Sequence, residues 1–279
     1  MNPTKIFFGL LVLFFLGGLY FSSTLWAESK NFSSKKNKVE ETVLIERPLA
    51  HPKVGERLVF KVSWMGIPVG FGSLEVKERT TTHGRAAYHV VALAGTNEFL
   101  SKIYPVHDEI HSIFDAEDFR SFEFSKTLKE GRYRADEKIV FDHAAKKGHY
   151  ESFLNKGKKT VEITTGSKDL VSAFYWFRSQ AVNVGDSLKT SVSSQEKEWH
   201  TEFWVLKTET KILRSQGAFQ TLVVEPKTQL KGILYDRGQA WIHFTADQKR
   251  IPVWITLKTP FGPVVGVLED AKKTLESRG

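Results

Sequence analysis

The chain contains no cysteine. That absence excludes disulfides, thiolate-held zinc, iron–sulfur clusters and a thiol nucleophile together. It also removes the residue on which a bacterial lipoprotein carries its lipid. Catalytic signatures are missing as well. There is no GxSxG elbow, no helical HExxH, no His–Asp pair at nucleophile spacing and no carboxylate pair suited to acid–base work. No repeat of solenoid type is present.

What the chain does have is positive charge and aromatic rings. Its formal net charge is +8 over 279 residues, and it carries 21 Phe, 7 Tyr and 7 Trp. A basic surface favours anionic partners, either nucleic acid or an acidic membrane. The N-terminus decides between them. Lys5 precedes IFFGLLVLFFLGGLYFSSTLWA, 22 residues without a charge. Residues 1–27 therefore read as a secretory signal cleaved after Ala27, or as a retained membrane anchor. Both readings export the rest of the chain to the periplasm, away from nucleic acid, and leave an anionic membrane surface as the partner. Residues 28–51 are polar and Lys/Ser/Asn-rich, which suits a flexible tether. Residues 271–279 form a charged tail.

The stretch LVFKVSWMGIPVGFGSLEV (58–76) has the glycine density of a phosphate-binding loop. Such a loop needs a helix start directly behind it. Here β-forming residues follow, without helical period, so the stretch is a hairpin with a Gly/Pro turn. Gly66 and Gly70 then have structural roles, in positive φ and in close strand approach.

Alternation of period two continues through the chain. It predicts strands at Ala87–Ala94, Glu109–Phe114, Ser121–Leu128, Tyr133–Asp142, His149–Leu154, Lys159–Ile163 and Ser187–Val192. Beyond these it predicts Glu198–Leu206, Glu209–Leu213, Phe219–Pro226, Ala240–Thr245, Pro252–Thr259 and Val264–Glu269. Lys, Glu and Arg alternating within strands imply one wet face. One segment departs from the pattern: SKDLVSAFYWFRSQAV has helical spacing, and predicts a short amphipathic helix over about 167–180 behind a Ser167 or Asp169 cap. A helical turn is expected near Asn97–Ile103. The expected fold is mainly β, a single domain (52–270) of curved antiparallel sheet or open β-barrel with that helix at one side.

GERLVFKVSWMGIPVGFGSLEV, DEIHSIFD with FRSFEFSKTLKEGRY, KDLVSAFYWFR, GAFQTLVVEP and RIPVWITLKTPFGPVVGVL follow one another in the chain. In that order they resemble the bacterial envelope family called domain of unknown function 3108, from about Gly55 to Leu268. The resemblance implies an exported β-rich domain and carries no reaction, cofactor or catalytic residue.

Two constellations are candidates for chemistry or binding. In HDEIH, His107, Glu109 and His111 project to one side of a strand, spaced to ligate a divalent metal or simply to face solvent. Asp108 and Ser112 fall on the other side and read as structural. A buried Asp108 would need a partner, with Arg120, Arg132 or Arg178 available. The FYWF run with Arg178 could line a pocket for acyl chains or sugar rings, or could be core. Trp64, Phe174, Tyr175, Arg178, Trp241 and Trp254 are the candidate ligand-lining residues. The function expected from all this is a non-enzymatic envelope protein without a cofactor, binding a lipid or other amphiphile in a barrel-like cavity. Its alternatives are a structural or glycan-binding module, and a metal-assisted hydrolase using the HDEIH strand.

Overall fold

The structure, a computed structural model, describes residues 51–194, 197–214, 216–230, 233–234 and 239–270. The expected signal or anchor, the tether apart from His51, and the charged tail lie outside the described residues.

The strands are β1 (Arg57–Trp64), β2 (Ile67–Thr82), β3 (Arg85–Thr96), β4 (Val106–Asp115), β5 (Ser121–Glu130), β6 (Tyr133–Asp142), β7 (Lys147–Ser152) and β8 (Gly157–Glu162). After the main helix come β9 (Ser187–Ser194), β10 (Lys197–Leu213), β11 (Gly217–Leu230), β12 (Ile233–Leu234), β13 (Gln239–Thr245), β14 (Pro252–Thr259) and β15 (Gly262–Leu268). They make one antiparallel sheet in the order β8-β7-β6-β5-β4-β3-β2-β1-β15-β14-β13-β11-β10-β9, with β12 attached to β11. The sheet is mainly a meander; β1 joins it to the C-terminal hairpins by pairing with β15, Phe60 opposite Leu268. Among the described residues β8 and β9 at the two ends do not pair, so the sheet is not closed.

Alternation builds the core. Leu58, Phe60 and Val62 are buried on β1, as are Val253, Ile255 and Leu257 on β14. Bulges at Val62/Ser63, Val76/Glu78, Ile113/Phe114, Val205/Lys207 and His243/Phe244 interrupt the ladders. Each adds twist and bend, which curls a long sheet instead of leaving it flat. Glu198–Leu206 and Glu209–Leu213, expected as separate strands, are one strand carrying the bulge at Val205/Lys207.

The first hairpin turns more tightly than the Gly/Pro stretch suggests. Only Met65 and Gly66 lie outside the strands, at φ 49° and 84°. Positive φ at both positions gives a two-residue turn whose twist matches the strands. Gly70 is inside β2, where an added Cβ would stand 2.0 Å from the Gly95 carbonyl oxygen. Gly70→Ala is therefore expected to cost about 1–3 kcal/mol through forced backbone displacement. Gly66→Ala meets no neighbouring atom and strains only φ. Denaturant midpoints of the two variants should fall in that order, Gly70→Ala lower.

Helix α1 (Glu98–Ser101) is the expected short turn, capped by Asn97. Helix α2 (Leu170–Arg178) packs on the buried face of the sheet. Its apolar residues meet rings from distant strands: Tyr175 stacks on Phe114 at 5.9 Å, and Phe177 meets Phe203 at 4.9 Å and Phe244 at 5.4 Å. Its seat is polar. The Asp169 carboxylate accepts from the backbone N–H groups of Val171 and Ser172 and from the hydroxyls of Ser112 and Ser121. Burial raises the Asp169 pKa, and those four donors pull against that rise. One residue thus caps the helix and fastens it to β4 and β5.

Candidate functional site

The free edges of the sheet approach each other through the segment between β8 and α2. Lys168 N–H donates to the Ser191 carbonyl at 3.0 Å, and Ser193 N–H donates to the Lys168 carbonyl at 2.7 Å. Thr164 N–H reaches the Glu198 carboxylate at 2.8 Å. This strap meets β9 as a single parallel bridge, Lys168 to Val192. One bridge closes a seam less completely than a ladder does, and a cavity of about 560 Å³ remains beside it.

The strap supplies Thr164, Thr165, Gly166 and Lys168 to the cavity, α2 supplies Trp176, and β9 and β10 supply Lys189, Thr190, Ser191, His200, Thr201 and Glu202. Lys168 dominates its electrostatics. The side chain is buried, its ammonium lies 5.3 Å from the Trp176 ring centroid, and it donates to the Gly166 carbonyl at 3.0 Å. Among the described residues it has no carboxylate in ion-pair range, and Asp118 and Asp169 act on it only from further away. Burial lowers its pKa. The Thr201 hydroxyl is also buried and finds no partner. A desolvated ammonium, an indole face and several hydroxyls suit an anion that also presents a flat, hydroxyl-bearing body.

The sequence-predicted ligand residues do not assemble here. Phe174, Tyr175 and Arg178 belong to the packed interior of α2. Trp64 packs against the core with its indole N–H on the Phe261 carbonyl, 3.0 Å away. Trp254 lies on the face of β14 opposite Val253 and Ile255, its N–H donating to Thr256 Oγ1 at 2.8 Å and Lys211 at 4.2 Å over its ring. Trp241 sits across from Thr256 on that same face. Trp64 therefore stands apart from Trp241 and Trp254, and the three do not line the pocket.

His107, Glu109 and His111 do not converge either. His111 pairs with Glu109 at 2.9 Å and with His89, on the neighbouring strand, at 3.0 Å. Among the described residues no group of three His, Asp or Glu is placed to hold a metal ion. Ser112 is the Asp169 ligand already described. Asp108 is buried, but Arg120 is engaged with Asp118 and Arg178 with Glu56, and Arg132 makes no ion pair among the described residues. Instead Asp108 accepts from Lys129 N–H at 3.1 Å and lies against Glu130 and Lys126. The reason is topological: Arg178 stands at the last turn of α2, next to the start of β1.

Of the pocket residues, Trp176 was visible as part of the aromatic run. Lys168 was not, because nothing in SKDL distinguishes a buried lysine from a solvated one. Only the strap's pairing with β9 buries it.

No curated protein matches the chain. A β-barrel-like protein of the domain of unknown function DUF1849 from Brucella abortus is similar at 10% identity and a TM-score of 0.48, over 76% of this chain and 94% of its own. A Bacteroides fragilis protein with a YmcC-like fold, provisionally designated exported, is similar at 11% identity and a TM-score of 0.35, over 81% of this chain and 98% of its own. The family model described as a protein of unknown function, DUF3108, matches residues 59–269, the greater part of the chain. The chain belongs to the DUF3108 family.

Proposed function

We propose that this is an exported, periplasmic, non-enzymatic envelope protein that binds the anionic saccharide part of an envelope amphiphile in the seam pocket. The observation that carries the reading is Lys168: a buried ammonium without a carboxylate in ion-pair range among the described residues, set over an indole face. Leaving such a charge uncompensated is costly, and an anionic ligand offsets that cost on binding. The hydroxyls of Thr190, Ser191 and Thr201 suit sugar hydroxyls, and Trp176 suits a sugar ring. Export is supported by the N-terminal apolar run. An acyl chain inside the barrel, the occupant favoured on sequence, would compete with α2 for the buried face of the sheet. The saccharide reading needs no such displacement.

Calorimetric titration of the full chain with digalacturonic acid and with a neutral disaccharide tests the reading. Charge-assisted hydrogen bonds contribute about 1.5–3 kcal/mol, so the acid is expected to bind at least about tenfold tighter. Lys168→Gln should erase that preference and leave the neutral sugar unaffected. Trp176→Leu should weaken both. Equal affinity for the two sugars, or an unchanged preference in Lys168→Gln, would overturn the reading.

A further inference from the structure

The two ends of the barrel differ in a way the seam pocket does not use. Antiparallel topology places the β1–β2, β3–β4, β5–β6, β7–β8 and β14–β15 connections together at one end. Hydrogen bonds link neighbouring tips: Met65 N–H to the Pro263 carbonyl, Asn97 Nδ2 to the Pro68 carbonyl, and Gly131 N–H to the Pro105 carbonyl. This rim carries Met65, Ile67, Phe99, Ile103, Phe153 and Leu154 as exposed apolar side chains, Phe99 being 74% exposed. Single exposed apolar residues are ordinary, whereas several on adjoining loop tips mark an interaction surface.

The exposed charge around the rim is mostly positive. Lys102, Arg132 and Lys156 are on the tips, and Lys129, Arg134 and Lys258 flank them. None of these six stands in an ion pair among the described residues. Among the described residues of the tips, Glu98 alone is set against them. The opposite end is different: there Arg85 is held by Asp115, Glu117 and Asp118, and Arg120 by Asp118. Apolar tips ringed by uncompensated cations match the two layers of an anionic lipid surface, acyl boundary beneath and phosphate headgroups around. A protein partner would be expected to supply complementary carboxylates at fixed positions, and the mobile anions of a lipid leaflet need none. We propose that this rim docks on an anionic lipid bilayer, with Phe99 and Ile103 entering the interface.

The absence of cysteine makes a direct test possible. Phe99→Cys and, separately, Ile212→Cys in the full chain would each be labelled with an environment-sensitive fluorophore. Ile212 is equally exposed, at 74%, and lies at the β10–β11 connection on the opposite end. That end also receives the incoming chain, where His51 stacks on Phe119, so the second label reports any membrane contact caused by the N-terminal run alone. With phosphatidylglycerol vesicles the label at 99 should blue-shift and be quenched by spin-labelled lipid, and the label at 212 should do neither. Phosphatidylcholine vesicles should give little response at 99. Lys102→Glu with Arg132→Glu should remove the response to phosphatidylglycerol. A label at 99 that stays in water, a response equal for both lipids, or a blue shift without vesicles that grows with protein concentration and so reports a second copy of the chain, would each overturn the proposal.

Discussion

Arg178→Met is expected to lower the stability of the folded domain by about 3–5 kcal/mol. Both partners of the Arg178–Glu56 pair are almost wholly withdrawn from water, with side chains 5% and 2% exposed. The guanidinium donates to Glu56 Oε1 at 2.6 Å and Oε2 at 3.4 Å, and to the Arg250 carbonyl at 3.0 Å. It also lies over the Phe174 and Tyr175 rings. Burial draws its pKa down to about 10, which leaves it a cation at neutral pH. Removing the cation takes two guanidinium hydrogen bonds from a buried carboxylate that keeps the Tyr175 hydroxyl at 3.4 Å, and that loss of compensating charge is the main cost. Adding Glu56→Met should therefore recover most of the loss, because two apolar groups replace a pair whose mutual attraction barely exceeds its desolvation. Urea denaturation of wild type, single and double variants checks this. A loss below about 1 kcal/mol in the single variant, or a double variant no more stable than the single, would mean that the pair is hydrated and not the clasp between β1 and α2.

That clasp also shows what a sequence can and cannot disclose. Period two along β1, β6 and β14 is generated by local backbone geometry, so the residues themselves display it. The same holds for α2, whose Asp169 cap and apolar spacing lie within one short segment. Glu56 and Arg178 are brought together by folding across most of the sheet, and no local pattern relates them. The seam pocket is obscure for the same reason, since it exists only where a strap after β8 meets β9. Asp108 lies between these cases. Its phase between Val106 and Ile110 places it inward, which is legible, while its partners come from another strand. The phase on β5 was equally informative and easily misread. Phe124 and Leu128 fix which face is buried, and Lys126 and Glu130 share it. They are part of the interior, although charged residues alternating within a strand suggest a wet face.

Those inward charges lead to the strongest pH dependence expected of the protein. Asp108 and Glu130 are buried within hydrogen-bonding reach of one another, and Lys126 stands near both while pairing with Glu137 at 3.0 Å. Asp108 Oδ2 and both Glu130 oxygens have no other donor. A single proton held between the two carboxyls satisfies them, and ionising both would place like charges side by side. Burial, reinforced by the Asp108 charge, pushes Glu130 up to about 9, and burial pushes Asp108 to about 6. Both folded values exceed the ordinary carboxyl range. The native state therefore keeps protons that the unfolded chain has released, and stability falls as pH rises between about 4.5 and about 9. The slope has a ceiling of about 1.4 kcal/mol per pH unit for one proton. Glu130→Gln preserves the shape and supplies a fixed N–H donor to Asp108. It should be close to neutral at pH 5, stabilising by about 1–2 kcal/mol at pH 8, and should flatten the fall in melting temperature above pH 6. Lys126 and Tyr104 feel the Glu130 charge directly, so the difference between the two proteins reports the titration of the cluster as a whole. Parallel wild-type and Glu130→Gln curves from pH 5 to 9 would show that Glu130 is already ionised in the fold, and that the pair shares no proton.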